Sequence, residues 1–196
     1  WSTICGWPFR ACKMKLGAQY GYWTREPKLD IVSVALEAEN LGYDSLWTGE
    51  SYSSDAFTPL CWVGAHTSKI KLATGIAQLG ARTPATLAMQ AMTLDTLSGG
   101  RFCLGIGVSG PQVIEGWHGQ PFGKPIARTK ETINIIRKIL LRDEPVTADG
   151  PNLPLPYPKD APNSWGLGKP LKLINKPLRP DIPIYLGAEG PKNIAL

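Results

Sequence analysis

The sequence predicts an α/β fold built on a parallel β-sheet, and three observations lead to that prediction. Short apolar segments alternate with amphipathic helical segments four times, before a fifth strand and the start of another helix. Residues 101–108 are apolar almost throughout, as expected of a strand buried on both faces of a parallel sheet. Gly-rich or polar loops follow the predicted strands, where α/β folds carry their chemistry. Such alternation favours right-handed crossovers, and its spacing is compatible with an open doubly wound sheet or a (β/α)8 barrel.

The composition is that of an ordinary globular protein. The chain has 196 residues, of which 43% are hydrophobic and 19% are charged, so one domain with a sizeable core is expected. Its formal net charge is +5, but lysines and arginines form no run. An anionic cofactor or a small-molecule substrate fits this charge, and a nucleic-acid partner is not expected. No stretch approaches the roughly 20 apolar residues of a membrane span, so no membrane partner is expected.

The four cysteines predict neither a disulfide framework nor a metal site. They show no CxxC spacing and no cluster with histidine. Two of them, Cys61 and Cys103, lie inside apolar runs, which indicates buried free thiols. Free thiols are typical of a reducing compartment, and the prediction is a cytoplasmic protein with no metal.

The first third of the chain predicts two strands and a helix. Residues 1–13 lack periodicity and do not look like a signal peptide, so they are predicted to be an extraneous N-terminal segment. A strand is expected over residues 14–20. Asp30 is expected to cap the next helix and Gly42 to end it. The strand Ser45–Thr48 then leads into a polar loop.

The middle of the chain predicts a second helix over residues 56–67 and a third strand over residues 70–79. Gly75 and Gln78 within that strand indicate a bulge or a place where a ligand approaches the backbone. The Thr83-Pro84 pair is typical of a helix start.

The fourth strand, residues 101–108, leads into a Gly-rich loop that carries Glu115, Trp117 and His118. A helix is expected over residues 126–141.

Residues 142–181 contain half of the 18 prolines and have no sustained periodicity. We interpret them as an insertion that lies over the domain, and not as a linker. A fifth strand over residues 182–186 leads into a Gly-rich loop and a helix that starts near Lys192. Such a loop directs backbone N–H groups and a positive helix end toward an anion.

Three segments, residues 41–60, 72–129 and 183–196, resemble the luciferase-like monooxygenase superfamily, and most closely its coenzyme F420-dependent oxidoreductase branch. The resemblance runs from Met14 to Leu196. It implies a (β/α)8 TIM barrel of the bacterial-luciferase-like type, truncated after about five strands, with residues 14–196 as the N-terminal part of one barrel. It also implies a cofactor at the carboxyl ends of the strands and a homodimer for the full-length protein.

The activity that this resemblance implies is hydride transfer between coenzyme F420, a deazaflavin, and a small organic substrate. The alternative is an FMN-dependent monooxygenase, and an inactive truncated fragment is an alternative of another class. Bacterial luciferases have a phosphate-binding arginine about where Val108 stands, so Val108 favours F420. In relatives the third strand bulges against the cofactor ring, often through a non-prolyl cis peptide, and residues 76–79 match that stretch.

The candidate site residues lie where the second to fifth strands finish, at the strand ends and in the loops that follow. Because a deazaflavin carries the hydride itself, the protein must supply orientation and an acid or base. Glu50 and His118 are the predicted catalytic residues, although many deazaflavin relatives carry Asp-His where this chain has Glu50 and Ser51. The predicted cofactor contacts are Tyr52, Gln78, Gly107, Ser109, Gly110, Gly187, Glu189, Gly190 and Asn193.

Overall fold

The computed structural model describes residues 14–26 and 30–195. The predicted extraneous segment, residues 1–13, lies outside the described residues. Within the described part of the chain, strands and helices alternate along the sequence. The strands are β1 (Gly17–Gly21), β2 (Ser45–Thr48), β3 (Lys71–Thr74), β4 (Ala77–Gln78), β5 (Phe102–Gly107) and β6 (Ile184–Leu186). The helices are α1 (Ile31–Asn40), α2 (Thr58–Gly64), α3 (Pro84–Leu97), α4 (Pro111–Gly116), α5 (Pro125–Leu141) and α6 (Pro191–Ile194).

All strand pairs in the described residues are parallel. β1 pairs with β2, β2 with β3, and β3 and β4 pair in succession with β5. β6 also pairs with β5, so the sheet has β1 at one edge and β6 at the other. The predicted parallel α/β fold is therefore confirmed, and the carboxyl ends of the strands meet at one edge of the sheet.

The core lies between this sheet and its helices. All six residues of β5 are buried, as the apolar sequence predicts. Cys103 of β5 is buried, but Cys61 is exposed, so the prediction of a buried thiol was wrong at that position. On α2 it is Leu60 and Val63 that face the core, and Cys61 is one position off that face.

The third predicted strand is two strands in the structure, because the ladder is interrupted between β3 and β4. The peptide bond between Gly75 and Ile76 is cis. This bond immediately precedes Ile76, the first residue of the stretch 76–79 for which the resemblance implied a non-prolyl cis peptide. β4 therefore continues toward the carboxyl edge after a break, and Gln78 ends it.

Two helix starts differ from the sequence prediction. Asp30 stands at the N-cap of α1, but its carboxylate makes no capping bond and accepts one from the Tyr20 hydroxyl at 2.7 Å. α2 begins at Thr58, two residues later than predicted, because Asp55 accepts bonds from the amides of Phe57 and Thr58, both at 2.8 Å.

The Pro-rich segment, residues 142–181, is fixed to the domain by side chains. Glu131 of α5 accepts bonds from the amides of Asn152 and Leu153, at 3.1 and 2.9 Å. Near the end of the segment, Arg179 pairs with Asp95 of α3 at 2.7 Å. The same guanidinium donates to the carbonyl of Phe102, the first residue of β5. This anchor therefore lies at the amino-terminal end of the strands.

Glu39, near the end of α1, holds the loop that leads into β3. Its carboxylate accepts backbone N–H bonds from Ser68, Lys69 and Ile70, and the Lys69 bond is 2.7 Å long. Burial alone would raise the pKa of Glu39, but these hydrogen bonds outweigh burial and lower it from 4.5 to about 2. The charged carboxylate is therefore the form that the fold stabilises.

We expect this carboxylate to make the fold sensitive to acid. Because the pKa is lower in the folded chain than in the unfolded one, the stabilisation is complete above pH 4.5 and is lost as the pH falls toward about 2. Glu39→Ala should cost on the order of 2 kcal/mol at pH 7 and much less at the acid end of that window.

Urea denaturation at a series of pH values measures the difference. Glu37→Ala, on an exposed position of the same helix, is the matched control and should change stability by less than about 0.5 kcal/mol. A cost for Glu39→Ala that does not depend on pH would contradict the assignment.

Candidate functional site

The predicted site residues lie at the same edge of the sheet. Glu50 follows β2, Gln78 ends β4, Ser109 follows β5 and Asn193 follows β6. Because these strands are parallel, their carboxyl ends share one edge and these four residues cannot lie at opposite ends of the molecule. Glu50 and Gln78 are in direct contact, whereas Ser109 and Asn193 lie on neighbouring segments of the same edge.

Glu50 is the centre of a buried hydrogen-bond cluster. Its side chain is 5% exposed, and both carboxylate oxygens pair with the guanidinium of Arg82, at 2.5 and 2.8 Å. Oε1 also accepts a bond from the amide of Gln78 at 2.6 Å, and Oε2 accepts one from the amide of Ala56 at 3.1 Å. Four donors thus surround this carboxylate, which ties the loop after β2 to β4 and to the start of α3.

Gln78 links this cluster to His118. Its side-chain amide donates to the carbonyl of Glu50 at 3.1 Å, and its Oε1 lies 2.9 Å from Nε2 of His118. Gln78 itself is 1% exposed. The two predicted catalytic residues are therefore connected through one buried glutamine.

A short helix, α4, places His118. The sequence indicated a loop here, but residues 111–116 form one and a half turns of helix between Gly110 and Trp117. The signal was present in the Gly110-Pro111 pair, since proline favours the first helical position. The amide of His118 accordingly bonds to the carbonyl of Val113 at 3.2 Å.

Two large aromatic side chains from different loops lie close to each other at this edge. Tyr52 follows β2 and Trp117 follows α4, and their ring centroids are 6.4 Å apart. They are 66% and 65% exposed. Such a tilted pair offers an exposed apolar surface, and Trp117 immediately precedes His118 in the sequence.

Gly107, the last residue of β5, and Gly187, just after β6, leave room for the side chain of Ile76. A Cβ on Gly107 or on Gly187 would lie 3.0 Å from the side chain of Ile76. The amide of Gly187 also bonds to the carbonyl of Ile106 at 2.8 Å. Ser109 adopts a left-handed conformation, with φ at 61°, and Gly110 caps α4.

The loop after β6 contributes Glu189, Gly190 and Asn193. Glu189 and Gly190 are exposed, and Gly190 is the N-cap of α6. The Oδ1 atom of Asn193 is buried, and within the described part of the chain it has no hydrogen-bond partner. A buried acceptor without a donor is the kind of atom that a ligand hydroxyl completes.

The comparisons with known proteins agree with this architecture. The family model for luciferase-like monooxygenases matches residues 12–196. The chain belongs to the luciferase-like monooxygenase family. A protein of Mycobacterium tuberculosis that is named for coenzyme F420-dependent oxidoreductase activity is 54% identical over 183 residues, which are 93% of this chain and 52% of the relative. The chain therefore spans about half the length of this relative.

Solved structures of the family share the fold. The coenzyme F420-dependent tetrahydromethanopterin reductase of Methanopyrus kandleri superposes with a TM-score of 0.73 at 24% identity, over 90% of this chain and 51% of that one. A type II Baeyer–Villiger monooxygenase of Pseudomonas putida in complex with FMN gives a TM-score of 0.67 at 23% identity, over 88% and 51% of the two chains. The predicted TIM-barrel class is thus confirmed, with this chain covering about half of each barrel.

The site residue that sequence reasoning missed is Arg82. It lies in the turn before α3, where a charged residue is normally solvated. In the structure its side chain is 13% exposed, pairs with Glu50 and covers the ring of Phe57 at 5.1 Å. Glu50 is 32 positions away in the sequence, so no local pattern indicates the pair.

In the described residues of this family member, no group of three or more His, Cys, Asp or Glu side chains is arranged to hold a metal ion. Over the same residues, no helix has the length and apolar character that crossing a membrane requires.

Proposed function

We propose that this protein is a cytoplasmic oxidoreductase that transfers a hydride between coenzyme F420 and a small organic substrate. The observation that carries the proposal is the Gln78–His118 contact of 2.9 Å, which sets an imidazole at the carboxyl end of β4, where Gln78 pairs with Gly107 of β5. Membership of the family and the identity of 54% to a relative named for F420 dependence support the choice of cofactor. Val108, at the position of a phosphate-binding arginine in bacterial luciferases, also favours F420 over FMN.

The residues present fit a deazaflavin. Gly107 and Gly187 add no side chain of their own at the ends of β5 and β6, where Cβ atoms would approach Ile76 to 3.0 Å. The buried Oδ1 of Asn193 is an acceptor for a hydroxyl group such as those on the cofactor's side chain. We propose that Ser109, Gly110, Glu189 and Gly190 contact the polar tail. Tyr52 would contact the ring region.

Reduced coenzyme F420, when bound, would supply the hydride, and the protein would supply the proton. A substrate that receives a hydride at an electrophilic carbon gains two electrons and must also take one proton. We assign that proton to His118, and we assign Glu50 the task of holding Gln78 and Arg82 in place. The four donors around the Glu50 carboxylate support this division, because they occupy the positions that a proton exchange would need.

Titration with the two cofactors in parallel tests the proposal. We expect the full-length protein to bind F420 with a dissociation constant of about 1 μM or lower, which corresponds to a binding free energy of about −8 kcal/mol. FMN should bind at least tenfold more weakly. Reduced F420 should then be oxidised in the presence of substrate without oxygen consumption. Tight FMN binding with oxygen consumption would support the monooxygenase instead.

The two histidines of the chain give a matched pair of variants. His118→Gln should lower the rate of F420 oxidation by about 10²- to 10⁴-fold, as expected on removal of a general acid or base, and leave F420 binding within about threefold. His66→Gln, in an exposed position just beyond α2, should leave both unchanged. Equal rates for the two variants would exclude His118 as the proton carrier. A folded protein that binds neither cofactor would favour the inactive fragment.

A further inference from the structure

The hydrogen bonds around His118 define which of its ring nitrogens carries a proton. We propose that Gln78 is a positioning residue that keeps the proton of His118 on Nε2, so that Nδ1 is the atom that gains and loses protons in the reaction. The second half of this statement rests on the proposed function, because it uses the role of His118 in proton transfer. The tautomer itself rests on the contacts alone.

The orientation of the Gln78 amide is the first step. One end of this amide lies 3.1 Å from the backbone carbonyl of Glu50. A carbonyl oxygen only accepts hydrogen bonds, so the end that faces it must be the NH₂ group. The other end, which faces Nε2 of His118, is therefore the oxygen Oε1.

The state of His118 follows from that orientation. Oε1 of Gln78 only accepts, and it lies 2.9 Å from Nε2 of the ring. Nε2 must therefore carry a hydrogen for the contact to be favourable. In a neutral imidazole only one nitrogen carries a proton, so Nδ1 holds the lone pair.

The glutamine is held at two points, which makes its orientation stable. Its backbone amide donates to Oε1 of Glu50 at 2.6 Å, and its side chain donates to the carbonyl of the same residue. Glu50 is fixed in turn by both nitrogens of the Arg82 guanidinium. A flipped amide would set two acceptors, Oε1 of Gln78 and the carbonyl of Glu50, against each other.

This arrangement lets the ring exchange a proton without losing its support. Protonation of neutral His118 adds a hydrogen at Nδ1, and the Nε2–H bond to Gln78 remains. Release of that hydrogen from Nδ1 to the substrate anion returns the neutral ring with the same bond in place. One proton enters and one leaves at a single atom.

His66 provides an internal reference, because its contacts predict the opposite tautomer. Its Nδ1 lies 2.8 Å from the carbonyl of Trp62, which only accepts, so the proton of neutral His66 is on Nδ1. The chain contains two histidines in all. A spectrum of the imidazole nitrogens therefore contains one ring of each predicted kind.

Long-range proton–nitrogen correlation spectra of the protein labelled with ¹⁵N-histidine test the proposal without any cofactor. At a pH where both rings are neutral, we expect His118 to show a protonated Nε2 and an unprotonated Nδ1, and His66 to show the reverse. In Gln78→Met the ring of His118 should change to an exchange-averaged mixture of both tautomers. The signals of His66 should not move, which shows that the variant is folded.

A protonated Nδ1 on His118 in the wild-type spectrum would overturn the proposal. Unchanged His118 signals in Gln78→Met would also overturn it. If that variant does not fold, Gln78→Asn withdraws the oxygen from the ring by one methylene while keeping a polar side chain, and should give the same mixture. These spectra need no cofactor, so the two proposals can fail separately. If the spectra show the expected tautomer but F420 does not bind, the proposed function is refuted and the tautomer assignment stands.

Discussion

Gly105→Ala should prevent the chain from folding, or destabilise it by at least about 4 kcal/mol. Gly105 lies in the buried strand β5, and a Cβ added to it would meet the carbonyl oxygen of Thr74 at 1.8 Å. The obstacle is backbone, so no rotamer change relieves it. The same two residues exchange hydrogen bonds, since the Thr74 hydroxyl donates to the Gly105 carbonyl at 2.7 Å and accepts from its amide at 2.8 Å. Separation of the strands would lose these bonds as well.

Gly116→Ala is the matched control for this prediction. Gly116 is the last residue of α4, and no atom lies within 4 Å of the Cβ that alanine would add. We expect the free energy of unfolding of Gly116→Ala to remain within about 0.5 kcal/mol of the wild-type value. Urea denaturation followed by circular dichroism, together with the yield of soluble protein, measures both variants. A wild-type denaturation midpoint for Gly105→Ala would show that β3 and β5 do not approach as described.

Arg179→Met should destabilise the fold by about 3–5 kcal/mol, because it leaves a buried carboxylate without its partner. The side chain of Asp95 is 1% exposed and accepts bonds from Nε and Nη2 of Arg179. The hydrogen bond to Asp95 raises the pKa of Arg179. The amide of Phe102, at 3.2 Å, is the remaining donor that the structure gives Asp95.

Arg142→Met serves as the control, because Arg142 anchors the same Pro-rich segment and, among the residues that the structure describes, pairs with no carboxylate. It donates to the carbonyls of Leu173 and Ile174, at 2.8 and 3.1 Å. Its loss should cost about 1–2 kcal/mol. Adding Asp95→Asn to Arg179→Met should recover part of the stability, since a buried amide costs less than a buried charge. Equal costs for the two arginine variants would contradict a special role for the ion pair.

The elements that the sequence predicted well are those with a local signal. The apolar run of β5 indicated its burial, and α5 begins one residue before its predicted start. Thr83 caps α3 as expected, since its hydroxyl accepts a bond from the amide of Thr86. Each of these features depends on residues within a few positions of one another, so a single sequence contains the information.

The contacts that the sequence did not predict join residues far apart in the chain. Arg82 pairs with Glu50 across 32 positions, and Arg179 pairs with Asp95 across 84. Arginines in turns and Pro-rich segments are normally solvated, so their types and positions carry no signal of burial. The site was therefore predicted as a set of loops, while the connection from Glu50 through Gln78 to His118 required the tertiary structure.

The ion pair that anchors the Pro-rich segment lies at the opposite end of the strands from the candidate site. Arg179 and Asp95 secure the amino-terminal end of the strands, whereas Tyr52 and Trp117 lie outside the strands and helices at the carboxyl-terminal end. Substitutions among those exposed loop residues leave the ion pair and the buried strand β5 untouched. Sequence changes at the carboxyl-terminal edge can therefore accumulate without loss of the ion pair that stabilises the amino-terminal end.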